Sequence, residues 1–276
     1  MKLQVVLLFI VCVLSGCQLP ARERVVASYT FDKESELSDW LMEGDGKAYI
    51  SGGKLILEPE FYPLIDSLMQ CGKVSLENNQ KEYFPYLYPA MKAKHGEKEI
   101  ENYFYMEDGV KTFRGGHFNY WNKRLRTPDN FAIEFDFRAL SPAPLHMLMF
   151  CAAGMQGESV FDSRLPKRYG KAVEIMYGLS MYRVSYVHTL RGTANLRRAP
   201  GRVLAVKGPD LVSKDLTRSH HCRVERNRGV VKYIVDGQEI FSYKDEEPLK
   251  GSDWGFRLMV CAKGEYDNIT IKEIVK

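Results

Sequence analysis

The chain has 276 residues, 45% of them hydrophobic and 27% charged, which is an ordinary globular composition with enough length for one large β domain or two small ones. Its formal charge is only +4, and the basic residues are mixed with acids apart from short clusters such as Lys123-Arg124 and Arg197-Arg198. That balance argues against nucleic acid as a partner.

Residues 1–16 carry a basic Lys2, an apolar run from Leu3 to Leu14, and Leu14-Ser15-Gly16 directly before Cys17. This is the pattern of a bacterial lipoprotein signal peptide, with Cys17 as the lipid-bearing N-terminus after cleavage. The apolar run is too short to span a bilayer well, and no later segment is long and apolar enough to do so. Cleavage removes one of the 39 basic residues and leaves 38 against 35 acidic ones. Residues 17–26 then form a lipid-anchored linker and 27–276 the folded domain. The expected location is the bacterial cell envelope, anchored to a membrane and facing the periplasm or the exterior. Gln18 gives no Asp-type inner-membrane retention signal, which points to the outer membrane.

Beyond the linker the chain reads as short strands joined by turn signals, with almost no long helical periodicity. Strands are expected at 27–31, 47–50, 54–58, 117–121, 131–138, 145–152, 172–177, 182–188, 203–206, 255–261 and 267–274. A meander is expected over 221–243, with turns at Asn227-Arg228-Gly229 and Asp236-Gly237. A dozen or more such strands without a blade-length repeat predict an all-β, two-sheet antiparallel jelly roll. Residues 59–114 interrupt this pattern with aromatics, prolines and a charged, partly helical piece near 90–104. They read as an insertion that either covers a sheet edge or forms a rim beside a ligand groove.

Four cysteines follow Cys17. Cys151 and Cys261 sit in apolar strand-like runs, where a thiol packs as a small hydrophobe, and export would also allow disulfides among Cys71, Cys151, Cys222 and Cys261. None has zinc-type spacing. The strand "IEFDFR" places Glu134 and Asp136 on one face, as paired carboxylates of a glycosidase would be. The third position is Arg138, so these residues read as the exposed side of a strand whose Ile133, Phe135 and Phe137 fill the core. Asp267, before the last strand, is one oxygen donor where a structural calcium needs six to eight, and no cofactor is expected.

Several short stretches share an order along the chain: "DWLMEG" (39–44), "HFNYW" (117–121), "FCAAGMQGESVFD" (150–162), "KRYG" (167–170), "SY" (185–186), "NLRRAPG" (195–201), "VDG" (235–237) and "GFRLM" (255–259). Together they resemble the YesU-like family, a domain-of-unknown-function family with a concanavalin A-like lectin/glucanase jelly roll, often found near genes for polysaccharide use. The resemblance runs from about residue 28 to 274 apart from the insertion. It implies two curved sheets with a concave face that holds a saccharide in related folds. It implies no particular reaction, because the fold hosts lectins and enzymes alike. Where the family pattern has Ile-Asn and then His before Ser-Tyr, this chain has Leu179-Ser180 and Arg183, so no catalytic histidine carries over.

On this basis His117, Trp121, Glu174, Tyr186, Asn195 and Arg197 form the candidate substrate-binding set. His117, Asn119 and Trp121 share one strand face. Trp and Tyr suit sugar ring faces, while Asn, Glu and Arg suit hydroxyls or a uronate. The same set would serve a lyase, with Tyr or His taking a proton beside a neutralised carboxylate. The expected partner is a polysaccharide or oligosaccharide. The expected role is a glycoside hydrolase or polysaccharide lyase, a non-catalytic glycan-binding lipoprotein, or a structural envelope protein without ligand.

Overall fold

The computed structural model describes residues 22–76, 80–143 and 145–275. The expected signal peptide, Cys17 and most of the expected linker lie outside the described residues. The strands, in chain order, are β1 (Arg22–Tyr29), β2 (Trp40–Gly44), β3 (Gly46–Ser51), β4 (Lys54–Pro59), β5 (Phe104–Glu107), β6 (Val110–Phe113), β7 (Phe118–Asn122), β8 (Phe131–Ala139) and β9 (His146–Gly154). They continue with β10 (Leu179–Val187), β11 (Thr193–Ala199), β12 (Val203–Pro209), β13 (His220–Asn227), β14 (Val230–Val235), β15 (Gln238–Lys244), β16 (Asp253–Leu258) and β17 (Gly264–Val275). Three helices interrupt them: α1 (Tyr62–Gln70), α2 (Gln80–Glu99) and α3 (Ala172–Tyr177).

Two antiparallel sheets make a sandwich, as the alternation predicts. One runs β15-β14-β13-β8-β17-β4-β3, with β1 also paired to the long β17, and the other runs β12-β11-β10-β9-β16-β7-β2. The inward sides of both are apolar and rich in aromatics: Phe135 and Phe137 of β8 meet Tyr186 of β10, while Trp40, Tyr120, Trp254 and Phe256 stack beside them. Period-two alternation is what puts these residues in and their neighbours out. In β8, Phe131, Ile133, Phe135 and Phe137 are buried, whereas Glu134 and Asp136 lie on the outer face. There Glu134 pairs with Arg223 and Lys272, and Asp136 meets His221 at 2.9 Å. The incomplete carboxylate strand is therefore a surface ion-pair ladder on the eight-stranded sheet.

The β13–β14–β15 meander forms where expected. Its two turns place Arg228-Gly229 and Asp236-Gly237 in the left-handed region, φ 50° and 77°, then 51° and 79°, the pairing a tight right-twisted hairpin turn requires. Several elements differ from the sequence reading, among them β2, β5 and β6, which carried no strand expectation. Pairing of the first strand with β17 begins at Arg22, inside the segment expected as linker. Residues 172–177 form a helix rather than a strand. The run around Asn195 and Arg197, which carried no strand expectation, is β11.

The 59–114 insertion holds α1, α2 and the β5–β6 hairpin. Tyr83, Leu87 and Met91, four residues apart on α2, join Ile65, Leu68, Ile100, Tyr103 and Phe113 in a second apolar cluster seated on Val260 and Cys261. Gly96, at φ 82°, ends the regular part of α2. No disulfide joins Cys71, Cys151, Cys222 or Cys261. Among the described residues no group of three or more His, Cys, Asp and Glu gathers for a metal, and no helix is long and apolar enough to cross a membrane.

Candidate functional site

The outer face of the seven-stranded sheet is where the candidate residues and the cavities meet. Alternation turns Glu43, Asn119, Trp121, Arg257, Arg183, Ser185, Asn195 and Arg197 to this side, together with Met147, Met149 and Met181. The 155–171 loop and α3 fold over the middle of the face. Val160, Ile175 and Leu179 pack on Trp121, Met149 and Met181, with Phe161 and Leu165 at the margin.

A polar chain runs beneath that cover. Arg257 donates from Nη1 to Asn119 Oδ1 at 2.8 Å and to the Gly170 carbonyl at 2.7 Å. Asn119 in turn donates to Glu43 Oε2 at 3.2 Å, and Trp121 Nε1 donates to the same oxygen at 2.8 Å. Glu43 also takes a forked contact from Arg168, whose Nε lies 3.0 Å from Oε1. Stretches far apart in sequence, "DWLMEG", "HFNYW", "KRYG" and "GFRLM", thus converge on one network. Two glycines let the backbones approach. A Cβ at Gly44 or Gly170, both at positive φ, would stand 2.4 or 2.2 Å from the His117 carbonyl oxygen.

Two cavities open at this face. The larger, about 480 Å³, lies between the β2 edge, α2 and the 160–169 loop. On its wall His95 Nε2 is 2.7 Å from Asp45 Oδ1 and 3.2 Å from the Tyr103 hydroxyl, while Lys94 contacts Asp45 at 2.9 Å. Burial, followed by the charge of Asp45, holds the Tyr103 hydroxyl well above the usual phenol range. The insertion therefore forms a cavity wall. The smaller cavity, about 290 Å³, lies over β9, β10, β11 and β16 beside α3, and five arginines line it: Arg183, Arg191, Arg197, Arg202 and Arg257.

The structure places the six expected residues differently. Asn195 and Arg197 line the smaller cavity. Trp121 shares a face with Asn119 as expected, yet it is 0% exposed because α3 and the 155–171 loop cover it, so no ring face is open for stacking on a sugar. His117 is enclosed as well. Its Nδ1 accepts from the Val260 N–H at 2.9 Å, and burial, then the charges of Arg257 and Arg114, hold the imidazole far below its ordinary value. Tyr186 points the other way, into the core, with its hydroxyl 2.7 Å from that of Tyr266, because it alternates with the outward Ser185. Glu174 starts a helix: its Oε2 accepts the backbone N–H groups of Tyr169 (2.8 Å) and Lys171 (3.0 Å).

Sequence reasoning missed Glu43, Arg168, Arg183 and Arg257. The available signal was a charged residue alternating with large apolar ones, as in Trp254, Phe256 and Leu258 around Arg257, which marks a strand with one face in the core and the other on something polar.

The sandwich and the position of its cavities define a concanavalin A-like jelly roll of the lectin/glucanase class. The family model for DUF1961, a domain of unknown function, matches residues 91–271, and the chain belongs to that family. YesU of Bacillus subtilis (strain 168), an uncharacterized protein, is 29% identical over 174 residues, covering 58% of this chain and 79% of YesU. A solved Bacillus subtilis protein of unknown function with a galectin-like fold is 22% identical, covers 93% of this chain and 100% of its own, and superposes with a TM-score of 0.66. The exoplasmic/lumenal domain of VIP36, in its Ca2+/Man3GlcNAc-bound form, is 7% identical with a TM-score of 0.51, covering 90% of this chain and 89% of its own. At these identities the likeness to the solved structures is one of fold.

Proposed function

We propose that this protein binds an oligosaccharide or polysaccharide on the outer face of the seven-stranded sheet, as an exported lipoprotein held at the cell envelope through Cys17 and serving glycan use. The observation that carries the reading is the smaller cavity. Its walls combine apolar methionine side chains with Ser185, Asn195 and a set of arginines, a mixture that suits a ring with apolar faces and polar rims. The fold supports it, since a member of the class, VIP36, has been solved with a saccharide bound. A glycan array read together with mass spectrometry of the incubated glycans tests it. Binding to at least one glycan is expected, weakened about tenfold or more by Arg197→Ala, about 1.4 kcal/mol. A blank array with intact glycans would leave a structural envelope role.

Cleavage of the bound glycan is a second reading, favoured by the Asp45–His95–Tyr103 contacts in the larger cavity, where an imidazole links a carboxylate and a hydroxyl within proton-transfer reach. In that case shortened products appear, and His95→Gln abolishes them while binding persists.

A further inference from the structure

We propose that the five-arginine cavity is an oxyanion site that receives the carboxylate or sulfate ester of an acidic sugar unit. This rests on the saccharide reading above and narrows the ligand to acidic glycans.

The first argument is charge. Arg183, Arg191, Arg197, Arg202 and Arg257 line one cavity of about 290 Å³, and among the described residues no aspartate or glutamate lines it. The carboxylates whose charge reaches Arg257 are committed elsewhere: Glu174 to Lys171 and to backbone N–H groups at the start of α3, and Glu43 to Arg168, Trp121 and Asn119. Among the described residues, Arg202 alone of the five pairs with a carboxylate, Glu107 at 3.4 Å.

Unsatisfied donors provide the second argument. Arg257 is 0% exposed, and while its Nη1 serves Asn119 and Gly170, its Nε and Nη2 have no hydrogen-bond partner. Arg183, also buried, gives Nη2 to the Gly201 carbonyl at 3.2 Å and leaves Nε without one. Buried donors without acceptors, and like charges without counter-charge, are both unfavourable, and one anion answers both. The same burial and like charge disfavour the charged form of the two floor residues. Burial, then the charge of Arg183, holds Arg257 down to about 9, and burial with the charges of Arg197 and Arg202 holds Arg183 down to about 10.

Burial is also graded. Arg191 and Arg202 are exposed at the rim, Arg197 is half-buried, and Arg183 and Arg257 form the floor. A rim of exposed cations draws an anion in, and planar forks below can grip two of its oxygens. The volume is at the lower end of the range for small-ligand pockets, about 300–1,000 Å³, so it holds one charged unit rather than a run of chain. Met147, Met176 and Met259 add apolar wall that a sugar ring uses and a bare inorganic anion does not.

Titration calorimetry on the chain from residue 22 tests this with five probes: tetrasaccharides of polygalacturonate and of carrageenan, each beside its neutralised counterpart (methyl-esterified or desulfated), and inorganic sulfate alone. The carboxylate and sulfate arms tell which oxyanion is taken. At least one acidic tetrasaccharide should bind about tenfold or more tighter than its neutral form, and Arg197→Gln should remove most of that preference. Arg257→Gln can fail to fold because it braces Asn119 and Gly170, so Arg183→Gln serves as the second variant, and Arg218→Gln, in the bend before β13 and paired with Asp236, should bind like the parent. Equal binding of acidic and neutral forms, or an acidic preference untouched by both Arg197→Gln and Arg183→Gln, overturns the inference and leaves the saccharide reading standing. Sulfate binding as tightly as the tetrasaccharides overturns the sugar part of it. No binding by any arm overturns the inference, and the array then decides the broader reading.

Discussion

His146 lies between the sheets with its Nδ1 3.3 Å from the Tyr266 hydroxyl, the Phe137 ring centroid 4.9 Å away, and Nε2 without a partner. Burial alone pushes this imidazole down to about 3, against 6.5 for an exposed one, and His117 shifts in the same direction. The folded chain therefore keeps both rings neutral where the unfolded chain takes up protons. Stability is full above the unfolded value near 6.5 and falls as the pH drops toward the folded values, by up to about 1.4 kcal/mol per pH unit for each ring. Urea unfolding at pH 6 and pH 5, above most carboxylate titration, should show this loss in the parent. His146→Gln should lose about one proton's worth less over the same interval. Identical pH slopes for variant and parent would place the titration elsewhere. The same residue-scale physics separates Trp121 from a binding role: its N–H is held by Glu43 and its ring is covered, so it contributes packing rather than affinity.

Among elements, legibility followed the range of the forces. The β13–β15 meander and β8 were readable because alternation and Asp-Gly or Arg-Gly turns are local, and the aromatics of "FAIEFDFR" could only point inward together. Residues 172–177, "AVEIMY", were read as a strand because a short apolar run has no decisive period. Glu174 at the third helical position, accepting the N–H groups of Tyr169 and Lys171, settles it as a helix, and that contact depends on a loop ending in "KRYG". Asn195 and Arg197 entered the candidate set through the resemblance that "NLRRAPG" carries, not through a strand pattern, and β11 turns both outward. Arg183 and Arg257 were not legible as site residues, because which face a loop covers, and which it leaves open, is decided by residues tens of positions apart. The insertion is the other long-range element. Leu87 is fully buried in its cluster against Val260, so Leu87→Ala should destabilise the protein by about 2–5 kcal/mol, read by urea unfolding. It should also loosen the wall that carries His95 and Tyr103, raising proteolytic cleavage in 80–103 before the sandwich itself is cut. A parent-like melt would show that the insertion is packed too weakly to shape the larger cavity.

For the molecule as a whole, the first described strand and the cavities fall on different sheets. β1, the first described strand, pairs with β17 of the eight-stranded sheet from Arg22 onward, while both cavities open over the seven-stranded one. If Cys17 carries the lipid, five residues at about 3.6 Å each let Arg22 stand no more than roughly 18 Å from the membrane surface. The domain would then sit close to the bilayer with its ligand face on the sheet that does not bear the anchor. A single acyl chain holds a protein only marginally, whereas the lipid of a bacterial lipoprotein has several, so the anchor should dominate partitioning. Cys17→Ser, expressed from the full-length chain, is expected to leave the protein unlipidated and move it from the membrane to the soluble fraction on ultracentrifugation. The jelly roll should be unaffected, with the same urea midpoint as the parent released by detergent, because Cys17 precedes the first described paired residue, Arg22. Retention of the serine variant on membranes washed with high salt would show that something other than Cys17 holds the protein there.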